Sequence, residues 1–144
     1  MSRDKSWWGP RIWRILHSVA EISDRTDCAL LWRSALHATA DILPCAMCRI
    51  HFRAAIQRMR FPPTANIQGP LRHSLWAIHR DAGSTEPVAE EELTSLYGNG
   101  GDRSAILRLS RERVAEVAAG LSAGTGKIGA FERAWHTLLG RLST

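Results

Sequence analysis

Residues 43–63 read LPCAMCRIHFRAAIQRMRFPP, and they decide the fold class. Pro44 suits the first turn of a helix, and Cys48, Phe52 and Ile56 follow at i, i+4 and i+8 until the FPP triplet at 61–63 stops the run. The Cys45-x-x-Cys48 pair therefore sits at a helix N-terminus. There the two sulfurs are close enough to bridge, and free backbone N–H groups with the helix dipole favour a thiolate. That is what dithiol redox chemistry requires, and redox is the first reading. Zinc is the second: Cys45, Cys48 and His51 offer three ligands and Cys28 or another histidine a fourth, but no second close pair completes the usual spacing. Two buried cysteines acting as small apolar residues are the third.

Outward from this helix the pattern stays helical. Residues 10–21, PRIWRILHSVAE, place Ile12, Trp13, Leu16, His17 and Ala20 on one face, with Pro10 suited to the first turn. Residues 27–41 carry Leu30, Leu31, Ala35, Leu36 and Ala38 after a DRTD stretch that offers N-caps. Residues 69–82 place Leu71, Leu75 and Ile78 beside Trp76 and His79. Two more amphipathic helices are read at 105–121 and 127–142. No run alternates with a period of two, which sets aside a thioredoxin domain, whose CxxC is framed by strands. The class is all-α, with four helices in the first part forming a compact bundle.

Composition changes from residue 84. STEPVAEEE is acidic, and GNGG at 98–101 is a flexible break. The expected organisation is a core over 1–85, an acidic and Gly-rich linker over 86–101, and a helical extension over 102–144.

The chain of 144 residues is 44% hydrophobic and 23% charged, with no apolar run of the roughly 20 residues a membrane span needs. No targeting signal is visible, so a cytoplasmic location is expected, and no membrane partner. The net charge of +5 comes from 17 arginines against two lysines. A GC-rich coding bias explains that as well as contact with a polyanion does, and nucleic acid is not an expected partner. Three cysteines make no disulfide framework, and the odd count leaves one thiol over; Cys28, at a helix start, is read as a buried free thiol. Arg49 and Arg53, at i, i+4 beside the cysteines, are read first as a solvated basic face.

Three separated blocks together resemble the FAD-linked sulfhydryl oxidases of the Erv/ALR type. WGPRIWRILHSVA at 8–20 is similar to the family's opening pattern of Gly, Trp and Leu-His. LPCAMCRIHF at 43–52 is similar to its active-site block, and LWAIH at 75–79 to the start of its His-Asn-x-Val-Asn motif. The resemblance covers roughly residues 8–83. It implies a four-helix bundle cradling FAD, here followed by two additional C-terminal helices, with Cys45 the exposed interchange thiol and Cys48 facing the flavin. Electrons would pass from thiol substrates through this dithiol to FAD and then to molecular oxygen, giving hydrogen peroxide. Gly9, Trp13, His17, His51, Trp76 and His79 match cofactor-binding positions, and tryptophan faces and histidine nitrogens suit that use.

The chain departs from the family after His79, where Arg80, Asp81, Ala82 and Gly83 stand and both motif asparagines are missing. Arg80 is the expected substitute contact, toward a phosphate. No second CxxC supplies a shuttle, so the thiol partner is expected to be a protein substrate or a thioredoxin-like carrier. A homodimer is expected from the family. Minimal forms without a shuttle resemble the family's members in large DNA viruses, which would place the chain in a host cytoplasm or virion. Two alternatives remain at this point: a non-catalytic Erv-like scaffold that no longer holds FAD, and a zinc-stabilised helical protein.

Overall fold

A computed structural model describes residues 4–82, 88–121 and 123–144. Among these residues every regular element is helical. The seven α-helices are α1 (Lys5–Ala20), α2 (Ala29–Ile42), α3 (Ala46–Arg58), α4 (Gln68–Asp81), α5 (Leu93–Tyr97), α6 (Arg103–Gly120) and α7 (Thr125–Leu142). The all-α expectation holds. The six helices read from periodicity are present, and α5 with single 3₁₀ turns at Glu90–Glu92 and Asn99–Gly101 occupies the acidic and Gly-rich stretch. The start of that stretch, residues 83–87 with the expected boundary at 85, lies outside the described residues.

All six helix starts shift by one to five residues from the sequence reading, and the first three shifts have a cause in the capping. α1 begins at Lys5 instead of Pro10, because Asp4 accepts the Trp7 N–H at 3.3 Å as its N-cap. Pro10 thus lies inside the helix, on its exposed side, where its missing N–H cannot serve the Ser6 carbonyl. α2 begins at Ala29, with Cys28 at the N-cap position and no side-chain cap. Asp27 is drawn away by Arg25 at 3.1 Å and Arg141 at 3.5 Å. Pro44 precedes α3 without entering its first turn. Cys45 takes the N-cap position, its Sγ accepting the Cys48 N–H at 3.1 Å.

One core joins both ends of the chain. α7 packs along α2 and α6 along α1, so Leu16, Leu36, Leu71 and Leu75 share a single buried cluster with Phe131, Trp135, Leu138 and Leu142. Trp32 and Trp135 meet edge to face at its centre, with ring centroids 5.4 Å apart. Each indole N–H is satisfied: Trp32 donates to Ser23 Oγ at 2.7 Å, Trp135 to Thr39 Oγ1 at 2.9 Å. α4 is pinned beneath the end of α1. Arg72 makes a two-pronged contact to the buried Glu21 carboxylate at 2.8 and 2.9 Å, and Gln68 Nε2 donates to the Glu21 carbonyl at 2.9 Å. The N-terminal half of α1, the length of α3 from Cys48 to Arg58 and the C-terminal end of α4 face one another.

Candidate functional site

Cys45 and Cys48 form a disulfide, with Cα atoms 5.1 Å apart. Both are half-buried, but their surroundings differ. Cys48 lines a cavity of about 510 Å³, and Cys45 is not among the lining residues. The volume falls in the range of roughly 300–1,000 Å³ usual for small-molecule sites. α1 contributes Trp8, Gly9, Ile12 and Trp13; α3 adds His51, Phe52, Ala55 and Arg58; and α4 with the residue after it supplies Ile78, Asp81 and Ala82. Lys5 Nζ donates to the Ala82 carbonyl at 3.2 Å and ties the start of α1 to the end of α4.

The helix phase explains the division of roles on α3. His51, Phe52 and Ala55 follow Cys48 at i+3, i+4 and i+7, so they share its face and look into the cavity. Cys45, at the N-cap, keeps its sulfur over the free N–H groups of the first turn, where the helix dipole would stabilise a thiolate when the disulfide opens.

Gly9 lies in the middle of α1 and is buried. A glycine there costs roughly 0.5–1 kcal/mol relative to alanine. A Cβ at this position would meet only Lys5 Cγ, at the ordinary distance of 3.6 Å. The packing of the described residues therefore does not demand a glycine. What its missing side chain preserves is the depth of the cavity.

Beyond Trp13 lies a column of rings. His79 stacks on Trp13 with centroids 4.2 Å apart and planes 6° from parallel. His17 Nε2 and His79 Nδ1 are 2.9 Å apart, and Tyr97 covers His17 at 4.7 Å. One imidazole donates and the other accepts, which two neutral rings can do and two imidazoliums cannot. Burial, and then the neighbouring His79, lower the His17 pKa from 6.5 to about 3. Burial also lowers that of His79.

Because the folded pKa of His17 lies below the unfolded one, the unfolded chain takes up the proton first. Stability from neutral His17 is complete above about pH 6.5 and is lost as the pH falls from there toward 3. Urea unfolding at neutral pH and near the middle of that window should show this loss, and His17→Asn should lose less. Equal losses in both chains would remove His17 as the cause.

Of the residues singled out in the sequence, Gly9, Trp13, Cys48 and His51 come together at the cavity. His17 and His79 reach it through Trp13. Trp76 and Arg80 form a separate pair outside the lining: the Arg80 guanidinium lies 4.7 Å from the Trp76 ring and pairs with Asp81 at 3.2 Å, while Trp76 Nε1 donates to the Val88 carbonyl at 2.6 Å. Gly83 lies outside the described residues. The sequence reading missed Trp8, Phe52, Arg58 and Tyr97. Phe52 was on the Cys48 stripe and could have been named from it, whereas Tyr97 carries no local signal. Cys28 is a buried free thiol, its Sγ 3.4 Å from the Arg25 carbonyl, and burial pushes its pKa up.

The three side chains considered for zinc divide, since Cys45 and Cys48 bond to each other and His51 faces the cavity. Among the described residues no group of three or more His, Cys, Asp and Glu side chains is placed to hold a metal ion. Among the described residues, too, no helix is long and apolar enough to cross a membrane. No family model, curated protein or solved structure matches this chain.

Proposed function

We propose that this chain is an FAD-linked sulfhydryl oxidase of the Erv/ALR type, forming disulfides in protein thiols. One observation carries the reading: an aromatic-lined cavity opens onto one sulfur of a disulfide whose other sulfur lies outside it, at a helix N-terminus. A thiolate from a substrate attacks Cys45 Sγ, the Cys45–Cys48 bond breaks, and Cys48 leaves as a thiolate into the cavity. A second substrate thiol then displaces Cys45, so the substrate gains a disulfide and the enzyme holds a dithiol. Both electrons and both protons are accounted for on the two cysteines.

The cavity residues fit the flavin end of FAD. Gly9 gives depth, Trp8, Trp13 and Phe52 give flat apolar walls, and His51 gives a hydrogen-bonding nitrogen beside Cys48. When bound, FAD supplies the two-electron acceptor that oxygen regenerates with release of hydrogen peroxide. At the far end the missing asparagines leave Arg80. Its ion pair with Asp81 is a surface contact worth about 0–1 kcal/mol, which a phosphate can displace at little cost. The partners implied are a protein thiol or thioredoxin-like carrier, oxygen, and a second copy of the chain.

A second reading, a non-catalytic scaffold, is favoured by the Trp13–His79 stack, because rings 4.2 Å apart leave no gap for a planar group between them. The visible absorption spectrum separates the two. The purified protein is expected to show flavin bands and to consume oxygen when given dithiothreitol. Gly9→Leu, which fills the cavity, should lose the colour while keeping its helical circular dichroism. A colourless protein that stays inert after FAD is added would exclude the oxidase.

A further inference from the structure

Among the described residues four large hydrophobic side chains are strongly exposed, and two of them, Met47 at 58% and Ile50 at 56%, lie on the same turn and a half of α3 as the disulfide. They are three residues apart, so they share a helical face; it adjoins the cavity face through His51 and Ala54, but neither Met47 nor Ile50 lines the cavity itself. Pro44 and Ala46 are exposed beside them. The surroundings are basic. Residues 44–60 contain Arg49, Arg53, Arg58 and Arg60 and no acidic residue. Arg53 is paired with Asp41 at 2.5 Å, whereas the Arg49 guanidinium donates to the Leu43 carbonyl at 2.6 Å, and no carboxylate among the described residues pairs with Arg49, Arg58 or Arg60.

We infer that Met47 and Ile50 form the docking surface for the protein thiol, and that the partner is a segment with apolar residues beside its cysteine and acidic residues beyond them. This rests on the thiol–disulfide reading of the site. The apolar centre would seat the residues next to the attacking cysteine against Cys45, and methionine's flexible side chain adapts to several shapes. The rim, basic on balance despite Asp41 on Arg53, attracts acidic flanks and disfavours basic ones, raising encounter rates more than final affinity. The chemistry is simple exchange. The segment's thiolate attacks Cys45 Sγ, a mixed disulfide forms, and Cys48 departs with the electron pair of the broken bond.

The test removes the flavin from the question. A full-length Cys48→Ser chain carrying thionitrobenzoate on Cys45 releases the coloured thiolate when a peptide attacks Cys45 Sγ. Two pentapeptides are compared, one acidic with leucine on each side of its cysteine, the other basic with serine on each side. Rates are corrected for thiolate fraction and normalised to mercaptoethanol on the same chain. The acidic peptide should react about tenfold faster or more at low salt; added salt should remove the part due to the arginines, and the part that survives high salt should collapse in the Met47→Ser/Ile50→Ser background. Equal rates in the chain with Met47 and Ile50 intact would overturn the inference. So would a high-salt gap that persists in the double variant; if sedimentation then shows that variant dissociating a dimer, the face is a contact between copies of the chain. A chain that proves colourless yet keeps the gap removes the flavin and leaves the docking surface standing.

Discussion

On the proposed oxidase function, Cys48→Ser is expected to abolish turnover, lowering oxygen uptake on dithiothreitol by on the order of 10³-fold or more. The sulfur that lines the cavity is the only one of the pair placed to hand electrons to a group held there, and a serine can neither form the disulfide nor leave from it. Little else should change. Position 48 is half-buried in the first turn of α3, where serine is tolerated, so the flavin bands and helical content should remain. Cys45→Ser should be equally inactive for a different reason, since it removes the sulfur that accepts the substrate. It should also fold well, because serine is a good N-cap and can accept the Cys48 N–H in place of sulfur. The two variants part in their reaction with thiol reagents: Cys48→Ser keeps a reactive Cys45 and Cys45→Ser does not keep it. Oxygen uptake within tenfold of the unaltered chain in Cys48→Ser would disprove the electron route.

Trp135→Ala should carry the largest structural penalty, about 3–5 kcal/mol. The indole is fully buried at the seam between α7 and α2, edge to face with Trp32, and its N–H is tied to Thr39. Removing it opens a cavity lined by both halves of the chain. Stability totals for domains run from about 5 to 15 kcal/mol, so the loss is a large share. For a chain of this size it corresponds to a drop in Tm of roughly 10–20 °C in a thermal melt. Trp135→Phe keeps most of the packing and forgoes the hydrogen bond, so its loss should be near 1 kcal/mol. Similar melts for the Ala and Phe variants would mean that the seam does not bear on global stability, and that residues 102–144 fold apart from the rest.

The local features were legible because they are written in short-range patterns. Apolar residues at helical spacing named six helices, and Cys45-x-x-Cys48 after Pro44 named a dithiol at a helix start, since both depend only on residues within a turn or two of one another. The boundaries slipped where a side chain had another partner to choose. Asp4 captured the start of α1, and Arg25 with Arg141 took Asp27 away from the start of α2. α5 was missed because five residues bury too little apolar surface to leave a periodic signal; only Leu93 of that helix is buried.

What the chain's order of residues determined alone is therefore a helical protein with a cysteine pair spaced to bridge at one helix start, and the structure shows the bridge. Tertiary packing decided which sulfur meets a cavity, that Gly9 and Trp13 from α1 stand across it from α3, and that Tyr97 closes a ring column begun 80 residues earlier by His17. It also decided that α7 shares the core of α2. These contacts join positions far apart in the chain, and shape complementarity between helix faces selects them. No local spacing encodes that choice.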